Sequence, residues 1–245
     1  MKRERACGIH SVGSLLENHP EQVIQIWLGA NRARLEPLVQ LAQRFGIPTQ
    51  NARDTTLGKL AGGEPHQGVV AEFQPPEPIG EPGLYGLVEQ AGDSLLLVAL
   101  DQVQDPHNLG ACLRSAAAAG AHAVIIPRSR SAGLTAVARR AAAGGAEHVP
   151  VIEVTNLART LQQLRKQDVW CIGLAGDGDH SIWQLDLARP LLLVMGGEEA
   201  GLRRLTRERC DTLARIPMAG QIESLNVSVA TGIALFEALR QRGVQ

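Results

Sequence analysis

Three stretches of this 245-residue chain hold polar side chains where a ligand could be gripped. In the first, Asp105-Pro106-His107-Asn108 leads toward Arg114. Proline forces a turn there and keeps the residue before it extended. Asn108 can cap a helix that presents Arg114 about two turns in. A guanidinium so placed suits phosphate or a developing negative charge. The second is Gly196-Gly197-Glu198-Glu199-Ala200-Gly201, a glycine-rich loop entering a helix. It lacks the Lys-Ser/Thr of a phosphate-binding loop, its two carboxylates repel phosphate, and its spacing is not that of a dinucleotide loop. Glycines for close backbone approach, beside a carboxylate, suit a ligand with hydroxyls or positive charge. The third runs from Ile216 to Leu239. A strand end gives way to a turn at Gly220 and then to Ser224, a good N-cap, with Asn226 in the first turn after it. Backbone donors at such a helix start form an anion-binding nest. The bland alternative is an ordinary capped helix, with Leu225, Val229, Ile233, Phe236 and Leu239 as its apolar residues.

These stretches need elements to hold them. From Ser94 onward short apolar runs alternate with helical patterns. The expected strands are 95–100, 123–127, 149–154, 169–174, 191–195 and 213–216. The expected helices are 109–119, 134–143, 156–166, 202–210 and the last stretch. Uninterrupted apolar strands alternating with helices predict an α/β fold, a parallel sheet covered on both faces. Ligands in such sheets lie beyond the carboxyl ends of the strands. All three stretches fall at such ends.

Residues 1–73 read as a smaller three-layer α/β domain, with a helix at 8–16, a strand at 23–28, a helix at 35–45, a return strand at 47–50, a helical turn at 55–60 and a strand at 68–73. Arg32, Arg34 and Arg53 lie near element ends there, either on a solvated face or on an RNA-docking edge. Residues 74–93 carry Pro75, Pro76, Pro78 and Pro82 and read as a semi-rigid linker in which a helix can form late. The larger domain takes 94–245.

The bulk composition excludes several classes. Lys and Arg number 24 against 25 Asp and Glu, so any nucleic-acid contact must be local rather than a general basic coat. Aromatic residues are 3%, too few for a base-stacking platform. No apolar run is long enough to span a bilayer, and the N-terminus has no secretory apolar segment. Cys7, Cys112, Cys171 and Cys210 are scattered, which argues against a zinc site or a disulfide framework and for a cytoplasmic home. The seven histidines show no metal-ligand spacing; His107 reads as structural. Arg203, Arg204, Arg207 and Arg209 form a basic run on one helix, and Arg128 and Arg130 follow a strand end; a solvated face and an RNA-backbone contact both account for them.

Taken together, N-x-G-A-x-x-R spanning Asn108 to Arg114, G-x-E-x-x-G at Gly196–Gly201 and I-P-M-x-G…S-L-N-V-S-V-A at Ile216–Ala230 resemble the three motifs of the SpoU/TrmH family. These are S-adenosylmethionine-dependent RNA ribose 2′-O-methyltransferases of the SPOUT class. The N-terminal segment, ending in GGEPHQGVVA, resembles that family's small L30e-like substrate-binding domain. The resemblance covers essentially the whole chain. It is greatest to the branch that methylates a guanosine ribose in the peptidyl-transferase region of 23S rRNA.

The resemblance implies a deep trefoil knot, a homodimer and large-subunit rRNA as partner, with no metal and no membrane. It implies S-adenosylmethionine against Gly196, Gly201, Ile216, Met218 and Leu225, with Leu174 and Ala175 nearby. It implies Arg114, Asn108, Glu198, Ser224 and Asn226 as the catalytic set. A guanidinium is effectively always protonated, so Arg114 is read here as an electrostatic stabiliser and phosphate holder rather than a base. Each residue also has a plain structural reading: ion pairing for Arg114, capping for Asn108, Ser224 and Asn226, and a dipole-favoured first-turn acid for Glu198. The rival functions are a tRNA methyltransferase of the same family, a noncatalytic RNA-binding protein, and a nucleotide-dependent oxidoreductase. The last would need a glycine-rich turn after the first strand of the large domain, where Asp101-Gln102-Val103 stands instead.

Overall fold

The structure is a computed structural model that describes residues 3–74, 79–197, 201–220, 222 and 224–243. It divides into two compact units at 77/78.

The first unit holds β1 (Glu4–Cys7), α1 (Ile9–Asn18), β2 (Val23–Leu28), α2 (Arg32–Arg44), β3 (Thr49–Asn51), α3 (Asp54–Leu60) and β4 (Val69–Phe73). Its sheet runs β1-β4-β2-β3. Only the β2–β3 ladder is parallel. Alternate residues of β4 go to opposite faces, as the pleat requires. Val69, Ala71 and Phe73 join Val12, Leu16, Leu35 and Leu38 of α1 and α2 in one core. Val70 meets Leu57 and Ala61 in a smaller one on the other face. β1 is an addition to the expected elements. Its charged alternation, Glu-Arg-Ala-Cys, hides a strand that sits at the sheet edge.

The second unit holds α4 (Glu81–Ala91), β5 (Leu96–Asp101), α5 (Pro106–Ala118), β6 (Ala123–Pro127), α6 (Ala136–Ala142), α7 (Gly145–His148), β7 (Val151–Val154), α8 (Leu157–Arg165), β8 (Trp170–Leu174), β9 (His180–Ser181), β10 (Leu191–Gly196), α9 (Arg204–Arg209), β11 (Thr212–Arg215) and α10 (Val227–Gln241). The sheet order is β7-β6-β5-β10-β8-β11-β9, and every ladder in it is parallel. β5 shows why its first five residues are all apolar. Leu96, Val98 and Leu100 pack with α5, α6 and α10, while Leu97 and Ala99 pack with α4 and α8 on the opposite face. Each such buried aliphatic side chain contributes about 1.5–3 kcal/mol of transfer free energy.

The expected linker changes character at its end. Residues 81–91 are helix, and Leu84 and Val88 are buried in the second unit's core. Pro82 stands at the start of that helix, where a missing amide hydrogen costs nothing. Pro75, Pro76 and Pro78 lie outside the described residues.

The last helix is pinned at its far end by Arg242. Its guanidinium donates to the carbonyls of Leu95 at 2.9 Å, Arg189 at 2.7 Å and Leu187 at 3.2 Å, and burial lowers its pKa. α10 buries Val227, Thr231, Ala234, Leu235 and Ala238. Of the apolar residues expected to carry its core face, Ile233 and Leu239 are half-buried, whereas Val229 is 50% and Phe236 49% exposed. Thr231, Ala234 and Ala238 are small enough to let α10 approach α5 and the sheet closely, Leu235 packs into the core, and Val229 and Phe236 are left on the free face. No helix of the described residues is long and apolar enough to cross a membrane.

Candidate active site

Three adjacent parallel strands set the frame. β10 lies beside β8, and β8 beside β11, with Met195 opposite Leu174 and Leu174 opposite Ala214. Leu174, Gly196 and Ile216 therefore stand at one carboxyl edge of the sheet, where an α/β sheet takes its ligand. Ala175 donates its backbone N–H to Ala214 at 2.9 Å, which holds the strand ends together.

The glycine-rich loop folds back at once. Gly201 donates its backbone N–H to the carbonyl of Gly197 at 3.0 Å, and Gly201 takes φ +61°. A Cβ on Gly196 would lie 2.3 Å from the carbonyl carbon of Gly201, so no side chain fits there. The loop is tied to the end of β5 as well. Gly197 donates to the carbonyl of Asp101 at 2.8 Å. The fully buried Asp101 carboxylate accepts from the backbone of Arg203 at 3.0 Å and from its guanidinium Nε at 2.6 Å. Glu198, with Glu199 and Ala200, lies outside the described residues.

The turn after β11 leaves apolar side chains uncovered: Met218 at 38%, Ile222 at 72% and Leu225 at 36% exposure. Tight backbone at the strand ends beside uncovered apolar side chains fits a ligand with a polar ribose and an apolar base, as S-adenosylmethionine has.

The first and third motifs meet. Asn226 donates through Nδ2 to Oδ1 of Asn108 at 3.0 Å. The caps differ from the expected ones. Asp105, not Asn108, caps α5 by accepting from the His107 amide at 2.8 Å. Asn226, not Ser224, caps α10 by accepting from the Ser228 amide at 2.9 Å and its hydroxyl at 2.6 Å. α5 thus begins three residues earlier than the spacing of apolar residues suggests, and the cap of α10 lies two residues later. Ser224 is exposed and makes no hydrogen bond among the described residues.

α5 carries Asn108 and Arg114 on a close-packed base. A Cβ on Gly110 would lie 2.4 Å from the carbonyl oxygen of Ala138 in α6. Gly145, at the start of α7, leaves only 3.0 Å to the Cα of Arg114. On the other side the Cys112 thiol touches the Thr231 hydroxyl of α10 at 3.5 Å. The Arg114 side chain projects from this platform into solvent, and no ion pair or hydrogen bond engages it among the described residues. Its plain reading as half of a surface ion pair is not what the structure gives.

The basic run on α9 is mostly spoken for. Arg203 holds Asp101, Arg204 pairs with Glu208 at 2.6 Å, and Arg207 grips Asp177 through two bonds of 2.9 and 2.8 Å. That fork keeps the Asp177 carboxyl below its usual range. Asp101 and its arginine carry no signal in sequence spacing, because the two are 102 residues apart.

Two family models match the chain. That of the SpoU rRNA methylase family matches residues 95–236, and that for RNA 2′-O ribose methyltransferase substrate binding matches residues 5–79. The chain is 52% identical over 241 residues to the 23S rRNA (guanosine-2′-O-)-methyltransferase RlmB of Pseudomonas aeruginosa, covering 98% of this chain and 97% of that one. Among solved structures it is similar to the SpoU methyltransferase AviRb of Streptomyces viridochromogenes in complex with AdoMet, with a TM-score of 0.81, 24% identity and coverage of 99% and 92%. It is also similar to an AdoMet-bound rRNA methyltransferase of Sinorhizobium meliloti, with a TM-score of 0.76, 27% identity and coverage of 97% and 87%.

Proposed function

The chain belongs to the SpoU rRNA methylase family, and from that premise we propose that it methylates the ribose 2′-hydroxyl of a guanosine in 23S rRNA, in the peptidyl-transferase region. The observation that carries this reading is sequence identity of about half across both units to enzymes of that name. It is supported by the direct bond between Asn108 and Asn226 beside the carboxyl edge of the sheet.

S-adenosylmethionine supplies an electrophilic methyl group. The residues that would hold it are Gly196, Gly201 and Ile216 through their backbone, Leu174 and Ala175 at the strand ends, and the exposed Met218 and Leu225. Transfer to a ribose needs the 2′-oxygen in line with the methyl–sulfur bond, which breaks as the oxygen–methyl bond forms and releases the thioether product, while the hydroxyl proton passes to water. It also needs the negative charge that grows on that oxygen to be met. Arg114 meets it: a permanent cation with no competing partner among the described residues, placed on a rigid helix. Asn226 and Asn108 hold one another and set the angle of the two helix starts that flank the 2′-hydroxyl. The exposed Ser224 hydroxyl contacts the ribose or its phosphate. Glu198 fixes the substrate or Arg114.

The working form is a homodimer. The free face of α10, with Val229 and Phe236 exposed and Leu225 one turn before it, is the apolar surface a second copy covers. The strand order β5-β10-β8-β11 is consistent with a chain threaded through its own loop, the knot of the family. The enzyme acts in the cytoplasm, where its rRNA is.

The test is transfer of labelled methyl to 23S rRNA from cells lacking the gene, with the label mapped. Label on one guanosine ribose of the peptidyl-transferase region is expected. Label on tRNA alone would move the substrate and refute the reading.

A further inference from the structure

Two neighbouring strands of the second unit end in strained backbone. Among the described residues, five that are not glycine take a positive φ: Gln67, Gln102, Arg130, Ala143 and Asp168. Three have an ordinary reason. Ala143 closes α6 and Asp168 ends the turn after α8, where a left-handed residue is the usual device. Gln67 is held by its side chain, which accepts from the Ile9 amide at 3.1 Å. Gln102, at φ +66°, and Arg130, at φ +59°, close no helix. Gln102 directly follows β5 and Arg130 stands just beyond β6, and the two strands are parallel neighbours. Both residues therefore lie at the carboxyl edge of the sheet, where ligands bind. Asn and Asp relieve such a conformation by bonding locally, and longer side chains gain nothing from it. Strain of this kind persists where the surroundings enforce it, and it gathers at ligand sites.

The surroundings here do enforce it. Ala132 donates its backbone N–H to the Val103 carbonyl at 2.8 Å, which ties the segments after β5 and β6 together beside Gln102 and Arg130. The Gln102 carbonyl also backs the glycine-rich loop so closely that a Cβ on Gly197 would lie 2.5 Å from its oxygen. Asp101, the acid next to Gln102, is already held by Arg203. The polar groups of this edge are otherwise uncommitted. Gln102 is half-buried, and its carboxamide makes no hydrogen bond among the described residues. Arg128 and Arg130 are exposed, and neither guanidinium has an ion pair, hydrogen bond or ring contact there. Elsewhere in the unit Arg139, Arg165 and Arg240 are paired with Glu147, Asp211 and Glu237. The Ser131 hydroxyl oxygen is buried with no partner among the described residues, which costs free energy unless a ligand meets it. A carboxamide presents a donor and an acceptor side by side, which suits the edge of an unstacked base. Forked guanidinium groups suit phosphate oxygens.

We infer that the ends of β5 and β6 form a subsite for the nucleotide next to the target in the RNA strand. Arg128 and Arg130 hold the phosphates on either side of that nucleotide, and the Gln102 carboxamide bonds the edge of its base. The inference rests on the reading that the chain methylates 23S rRNA, and it adds the residues of the methyltransferase unit that set the register of the strand.

The experiment measures binding of the full chain to a synthetic RNA of the peptidyl-transferase sequence, by fluorescence anisotropy over a range of salt. The same RNA is also made with an abasic nucleotide at each position in turn. Two phosphate contacts on a single strand predict that R128A/R130A lowers the slope of log affinity against log salt by about 1.4. Gln102→Gly should melt at or above the parental temperature, because glycine takes φ +66° freely. It should nonetheless bind the intact RNA about tenfold more weakly at an unchanged salt slope, the loss of one paired base edge. One abasic position should weaken the parent by a similar factor and leave Gln102→Gly no weaker than before. Arg209→Ala removes a charge at the far end of α9 and should bind as the parent does. Circular dichroism and S-adenosylmethionine affinity check that each variant is folded. A Gln102→Gly variant with parental affinity overturns the subsite, as does an R128A/R130A variant with the parental slope or a comparable loss in Arg209→Ala. Binding is read without methyl transfer. A subsite that fails while the parent methylates rRNA leaves the proposed function standing. A subsite that holds while the parent methylates no rRNA removes the function alone.

Discussion

Asn226 and Asn108 face each other at 3.0 Å, amide to amide, across 118 residues of chain. Asn226 spends its oxygen on capping α10 and its nitrogen on Asn108. The two jobs can be separated. Asn226→Asp keeps the capping oxygen and removes the donor. It should leave thermal stability within a few degrees and lower the methyl-transfer rate at saturating substrates at least tenfold. Asn226→Ala removes both and should also cost about 1 kcal/mol of stability for the lost cap. Equal activity of parent and Asn226→Asp would show that the contact is only architectural.

α5 has to lie close to α6 for Asn108 and Arg114 of the candidate site to be where they are. Gly110→Ala puts a methyl 2.4 Å from the Ala138 oxygen and 2.5 Å from the Ala141 Cβ. Urea unfolding should show a loss of about 1–3 kcal/mol, the usual range for overpacking. Gly133→Ala meets nothing within 4 Å and should fall within about 0.5 kcal/mol of the parent.

Glu237 gives a pH test. Hydrogen bonds from Arg240, at 2.8 Å, and then from Gln241 hold its carboxyl below the usual glutamate range. A folded-state pKa below the unfolded one means that the carboxylate stabilises the fold fully above about pH 4.3. The contribution is lost as pH falls through the lower folded value. Melting temperature should thus drop more steeply from about pH 5 to pH 3 in the parent than in Glu237→Gln. Parallel curves would remove Glu237 from the account.

Much of the larger unit was legible because its sheet is buried on both faces. Runs such as Leu191–Met195 have no polar residue to mislead, and they coincide with β10 and its neighbours. Legibility failed where the signal was not local. Glu4–Cys7 is a strand only because β4 offers it a partner. Pro82 reads as a breaker, but at a helix start it is harmless. The face of α10 differs from the expected one because Val229 and Phe236 stay outside while Thr231, Ala234, Leu235 and Ala238 pack inward, a choice that apolar spacing alone does not make. The motif residues were recognisable by type, and the bond between Asn108 and Asn226 was not, since no spacing along the chain encodes it. Arg242 and the Asp101–Arg203 pair were invisible for the same reason.

The claim at the centre is that an unencumbered Arg114 meets the charge on a guanosine 2′-oxygen of 23S rRNA. The direct measurement is the single-turnover rate of methyl transfer to unmodified 23S rRNA by the parent and by Arg114→Ala, with S-adenosylmethionine affinity measured on both. The account predicts label on one ribose with the parent. With the variant it predicts a rate lower by about 10²–10³-fold at unchanged S-adenosylmethionine affinity, the cost of removing one stabiliser of a developing oxyanion. A variant that transfers methyl at the parental rate would contradict it.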